Sequence, residues 1–203
     1  MKTAENDNTF ISMKKQERKA RQDAIISAAE RVFSSKPFAE VSIRDIAKEA
    51  GISHASIYRY FPDQQTLFVE AFLRGSENII QFLGVLVNEN KNVSIEKVTE
   101  KFLNYLIDND QYFRMMTHFM LDGSLSAELV ERLNSAERLL LDHMDKMFTR
   151  MNAKGDIRML SHAYFAAMNG VLITFRNYPG RNREEVISHM RKLGRIIALK
   201  FKD

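Results

Sequence analysis

Residues 50–61 read AGISHASIYRYF, and the fold turns on this stretch. A glycine separates two short segments, and the second carries small side chains followed by Tyr58, Arg59 and Tyr60. Upstream, Ser42 is a good N-cap for a short helix through Glu49, with Asp45 in its first turn. Ile46, Ala47 and Ala50 face inward from that helix, and Gly51 can take a left-handed conformation at its C-terminus. Ser53 caps the next short helix, Ile57 docks it, Pro62 stops it and Asp63 caps the helix beyond. Two short helices joined by a tight glycine turn describe a helix-turn-helix. Here the spacing puts a small residue where the helices nearly touch and aliphatic residues where the second docks on the first. The outward face of the second helix then holds Ser53, His54, Ala55, Ser56, Tyr58, Arg59 and Tyr60. The N-terminal residues of such a helix reach base edges in a major groove. Ser, Tyr and Arg side chains also donate to phosphate. The plainer alternative is a surface helix whose tyrosines cover a neighbouring core.

Working outward, residues 12–22 hold Lys14, Lys15, Arg18, Lys19 and Arg21 against Glu17 alone. Such a run is either a solvated terminus or a basic arm that meets phosphate. Residues 1–11 are polar and aperiodic, so a disordered arm is expected over 1–16. From 17 to 34, Ile25, Ala29, Val32 and Phe33 recur at helical spacing, and Pro37 ends that helix.

Residues 21–72, and above all SIRDIAKEAGIS followed by IYRYF, resemble the DNA-binding domain of TetR/AcrR-type transcriptional regulators. The resemblance covers about the first third of the chain. It implies an all-α protein with a three-helix DNA-binding domain over 17–62. A long fourth helix then opens a ligand-binding and dimerisation domain over 63–203. It further implies that Ser42 and Arg44 contact the DNA backbone or a base, that residues 53–60 face DNA, and that Lys14, Lys15 and Arg18 act as an arm. The implied partners are a double-stranded palindromic operator, a small effector and a second copy of the chain, with repression the expected outcome. Three positions depart from the family pattern. Gln64 or Gln65 stands where a lysine is usual, Ala55 where a glycine is usual early in the reading helix, and Pro37 where the preceding loop has a glycine.

Beyond Phe72, helices are expected at 63–88, 94–108, 110–120, 125–151, 156–177 and 183–201. Turns are expected at 122–124, 154–156 and 178–180. The last two helices carry apolar stripes: Ile157, Leu160, Tyr164, Ala167, Val171 and Phe175, then Val186, Met190, Leu193, Ile197 and Phe201. One reading is intramolecular core. The other, which the resemblance favours, is a two-fold four-helix bundle with Ile157, Leu160, Val171, Phe175, Val186, Met190, Leu193 and Ile197 at the dimer interface. Nine of the eleven methionines lie between Met115 and Met190, and methionine suits an adaptable apolar cavity. Methionine and phenylalanine at helical spacing equally fill core, so it is the resemblance and helix face that suggest a pocket of Phe82, Phe102, Tyr105, Phe119, Met144, Phe148, Tyr164 and Met168. Its occupant would be hydrophobic. Arg176, Arg181 and Arg183 are candidates for an anionic head group such as that of a fatty acyl-CoA.

Composition narrows the alternatives. Without cysteine there is neither disulfide nor thiolate chemistry, and a reducing cytoplasm is the expected location. No apolar run approaches the ~20 residues of a membrane helix, and the N-terminus lacks the apolar core of a signal peptide. The histidines are scattered, and no P-loop, dinucleotide glycine pattern or nucleophile elbow occurs, so no catalytic residue, cofactor or metal is expected. His143 with Asp142 and Asp145 is the nearest thing to a metal group, but adjacent helical residues point in different directions. A nucleoid-type DNA binder with no effector remains the rival reading, since it would use the same surface.

Overall fold

The computed structural model describes residues 2–37, 40–89, 94–121 and 125–202, with side chains from residue 10 onward except residue 89. Among these residues the chain is all-α: α1 (Lys2–Ser35), α2 (Ile43–Glu49), α3 (His54–Ile57), α4 (Gln64–Glu89), α5 (Ile95–Asp108), α6 (Asp110–Leu121), α7 (Ala127–Arg150), α8 (Ile157–Phe175) and α9 (Arg183–Lys200). No helix among them is long and apolar enough to cross a membrane. The turn expected at 122–124 lies outside the described residues.

The first helix corrects one expectation. Residues 2–16, read from the sequence as a disordered arm, continue α1 instead. Neither proline nor glycine occurs before Pro37 to interrupt a helix. Arg21 pairs with Glu17 one turn back, at 2.7 Å.

The chain divides into two compact units. The first comprises residues 1–74 and 114–129. Its core joins Ile25, Ala29, Val32 and Phe33 of α1 to Ile43, Ile46 and Ala47 of α2, Ile57 of α3, and Leu67, Phe68 and Phe72 of α4, all buried. Phe33 and Phe68 meet edge to face at 4.9 Å. Arg74 of α4 pairs with Glu30 of α1 and donates to the Asp23 carbonyl and the Ser27 hydroxyl, both at 3.1 Å. The unit therefore runs past the boundary expected at residue 62, because the early turns of α4 supply a wall of this core.

The second unit comprises residues 75–113 and 130–203. In it α9 packs on α5 and α8. The α5–α9 crossing is tight at Gly194, where an added Cβ would lie 2.3 Å from Leu103 Cδ1. Tyr164 is fully buried, and its hydroxyl shares a 2.7 Å hydrogen bond with that of Thr99. The rings of Phe148 and Phe201 close around it, at 5.8 and 5.7 Å.

Candidate nucleic-acid interface

The reading elements are built by local hydrogen bonds. Ser42 caps α2 in a reciprocal capping box with Asp45, whose carboxylate accepts from the Ser42 backbone N–H at 2.9 Å. At the other end Ile52 N–H donates to the Ala47 carbonyl and Gly51 N–H to that of Lys48, at 3.0 and 3.2 Å, with Gly51 at φ 68°. This is a Schellman closure, and the positive φ is why glycine occupies the turn. Ser53 then caps α3 by accepting from Ser56 N–H at 3.2 Å, and the two hydroxyls meet at 2.7 Å. Ile57 is completely buried, and α3 packs on α2. Pro62 ends the segment, and Asp63 accepts from Thr66 N–H at 2.7 Å to begin α4.

This scaffold leaves His54, Ala55, Tyr58 and Arg59 exposed, with Arg44 exposed at the start of α2. The His54 and Tyr58 rings meet edge to face at 5.1 Å, which restricts both side chains. Among the described residues neither the Arg44 nor the Arg59 side chain has an ion-pair partner. Two unpaired guanidiniums, an imidazole and a phenol are therefore exposed along α2 and the α3 segment. Guanidinium is the side chain best suited to bidentate phosphate or guanine-edge contacts.

Several of the expected DNA contacts are engaged within the protein. The Ser42 hydroxyl bonds Asp45, and the Ser53 and Ser56 hydroxyls bond each other. Tyr60 is half-buried and turned toward α1, where Arg18 lies over its ring at 5.5 Å and Gln22 donates to its carbonyl at 3.4 Å. Arg18, expected to reach DNA, donates to the Arg59 carbonyl at 3.1 Å. Lys14 stands 4.5 Å over the Phe10 ring, and Lys15 is exposed. Nothing in the sequence pattern pointed to Gln22; its spacing of four from Arg18 was the available signal.

The expected pocket residues fall into separate groups. Phe102, Met144, Phe148, Tyr164 and Met168 are buried in the second unit. Phe82 and Tyr105 are half-buried and stack on each other at 5.5 Å. Phe119 packs on Phe72 in the first unit, at 5.5 Å, and so is not part of the buried group. Two buried polar groups on α8 escaped the sequence reading: the Ser161 hydroxyl and the Asn169 carbonyl oxygen, both without a hydrogen-bond partner. Arg176 pairs with Asp110 and lies 5.0 Å over the Phe113 ring, so its charge is already met. Arg181 stacks on Tyr178 at 4.8 Å. The residues weighed as a metal group diverge: Asp142 and Asp145 both pair with Arg158, at 2.5 and 3.0 Å, while His143 lies against Gly84.

The stripe expected at the dimer interface is also corrected in part. Val171, Val186 and Met190 are buried in the chain's own core, and Ile157, Leu160, Phe175, Leu193 and Ile197 are half-buried. The large apolar residues left exposed on these helices are Met159 and Ile173 of α8 and Ile196 and Leu199 of α9.

Known proteins share these features. Residues 25–71 match the family described as bacterial regulatory proteins, tetR family. The nucleoid occlusion factor SlmA of Marinomonas sp. (strain MWYL1) is 25% identical over 150 residues, 73% of this chain and 72% of that protein. The transcriptional regulator EthR of Mycolicibacterium smegmatis is 43% identical over 49 residues. That match covers 24% of this chain and spans only 23% of EthR. Among solved structures, the transcriptional regulator FadR of Bacillus subtilis, in complex with stearoyl-CoA, superposes with a TM-score of 0.69 at 18% identity. That superposition covers 86% of this chain and 96% of FadR, and it establishes the fold. Residues 25–71 thus carry the capped helix-turn-helix of the tetR family of bacterial regulatory proteins, in a chain whose all-α fold is shared with solved structures.

Proposed function

We propose that the chain is a one-component repressor that binds a palindromic operator as a homodimer and is released by a small hydrophobic effector. In this reading the helix-turn-helix of the first unit reads DNA and the second unit serves the effector and the dimer, acting in the cytoplasm. The observation that carries it is the pair of unpaired guanidiniums, Arg44 and Arg59, beside exposed His54 and Tyr58 on a rigidly capped helix-turn-helix. Two such readers at fixed separation match half-sites about 34–36 Å apart. Release requires an effector that binds one spacing of the readers more tightly than the other. A fatty acyl chain is the favoured effector class, because Phe148, Tyr164 and Met168 form part of a buried apolar group and FadR shares the fold while holding stearoyl-CoA.

A second reading has its own support. SlmA is named a nucleoid occlusion factor, and its similarity runs well beyond the helix-turn-helix. On that reading the chain binds DNA without an effector. Fluorescence anisotropy separates the two. A duplex enriched by the chain from a randomised library is bound in excess random DNA at physiological salt, and a long-chain acyl-CoA is then titrated in. Release at micromolar ligand supports the effector-controlled repressor. Binding that persists through the titration removes the acyl-CoA assignment and favours the second reading.

A further inference from the structure

The last turn of the reading segment is held from the side by α1. Arg18 and Gln22, four residues apart and so on one face of that helix, donate to successive carbonyls: Arg18 Nη2 to Arg59 at 3.1 Å and Gln22 Nε2 to Tyr60 at 3.4 Å. Helix α3 ends at Ile57 and its trailing turn at Phe61, whose N–H still donates to the Ile57 carbonyl, so the carbonyls of Arg59 and Tyr60 lack the N–H groups of a following turn. The Arg18 guanidinium also lies 5.5 Å from the centre of the Tyr60 ring. Arg21, one turn on from Glu17, pairs with it at 2.7 Å. Tyr60 is thus engaged by α1 at its ring and its carbonyl.

We infer that Arg18 is a positioning residue for DNA reading and not a phosphate ligand. It fixes the last turn of the reading segment, so that the side chains of Tyr58 and Arg59 are presented in one orientation. The inference rests on the DNA-binding reading above. Its physical basis is the planar fork of arginine, which donates along its edge to a carbonyl while its face covers a ring. A lysine would keep the charge and lose that geometry.

The test compares the wild-type chain with Arg18→Ala and Arg18→Lys on a duplex that the wild-type chain has enriched from a randomised library. Affinity is measured across a salt series, and amide hydrogen exchange of residues 57–61 is followed in the DNA-free proteins. Arg18 is exposed, so both variants should fold, and their thermal melts check this. Both variants should bind roughly tenfold more weakly. The slope of log affinity against log salt should stay unchanged, and exchange at residues 59–61 should quicken. A slope lowered by about one in Arg18→Ala, with affinity restored in Arg18→Lys, is the signature of a phosphate contact and overturns the inference. Unchanged exchange in both variants overturns it as well, whatever the DNA result. A wild-type chain that enriches no duplex sinks the DNA-binding reading itself, and the inference with it.

Discussion

Asp45 closes the capping box of α2 and also pairs with Lys36 at 2.6 Å. The bond to Lys36 first, and those to Ser42 next, hold its carboxyl well below the usual carboxylate range. A depressed carboxyl stabilises the fold above its unfolded pKa of about 4, and that contribution fades as pH falls toward the folded value. Asp45→Asn preserves the cap geometry but removes the charge. Urea melts should therefore show a stability gap between wild type and variant that is constant above about pH 5 and closes below about pH 4. A gap that ignores pH would mean that the charge contributes nothing. Arg44 and Arg59 test the reading surface at the same scale. Arg44→Ala and Arg59→Ala should each weaken binding to an enriched duplex and lower the salt slope by about one, because each deletes an unpaired cation. Their urea midpoints should match wild type, since neither side chain packs in the core. An unchanged slope in both would show that DNA lies on another face.

At the scale of elements, helix ends were legible in the sequence and helix faces were less so. The ends are written in residues whose chemistry is local. Ser42, Ser53 and Asp63 cap as their side chains dictate, Gly51 takes the left-handed turn, and Asp156 accepts from Met159 N–H at 3.1 Å to open α8. Asn182 and Glu185 add a capping box at α9 that the turn at 178–180 only bracketed. Faces depend on what packs against them. Helix α8 is apolar around much of its circumference, so a spacing of three and four selects several stripes equally well. The stripe through Val171 points into the core, and the one through Ile173 does not. Residues 114–129 joined the first unit for the same reason, since only the contact of Phe119 with Phe72 reveals it. The α5–α9 crossing offers a direct check on packing. Gly194→Ala would gain about 1 kcal/mol of helix propensity. It would also drive a Cβ to 2.3 Å from Leu103 Cδ1 and 3.1 Å from Thr99 Cγ2. Leu103 is itself buried and cannot swing away, so overpacking at about 1–3 kcal/mol should dominate. Chemical denaturation should record a net loss, and a more stable variant would mean that the crossing relaxes freely.

For the whole molecule, the proposed dimer raises the question of which surface would pair two chains. The exposed Met159, Ile173, Ile196 and Leu199 lie on the two helices expected to form a two-fold bundle, and are the apolar positions there that a second chain could cover. Gly170 adds room, since a Cβ built there meets nothing within 4 Å in the single chain. Substitutions on the two kinds of position should behave in opposite ways. Ile173→Glu places a charge on the exposed face, so sedimentation should show a dimer replaced by folded monomers with a nearly unchanged melt. Binding to a palindromic duplex should fall with it, because a single reader gains nothing from the second half-site. Met190→Ala instead opens a cavity in the chain's own core and should cost about 2–5 kcal/mol of stability while the remaining folded protein stays dimeric. If Ile173→Glu leaves the sedimenting species dimeric, the chains pair through another surface, and the spacing of their readers is set elsewhere.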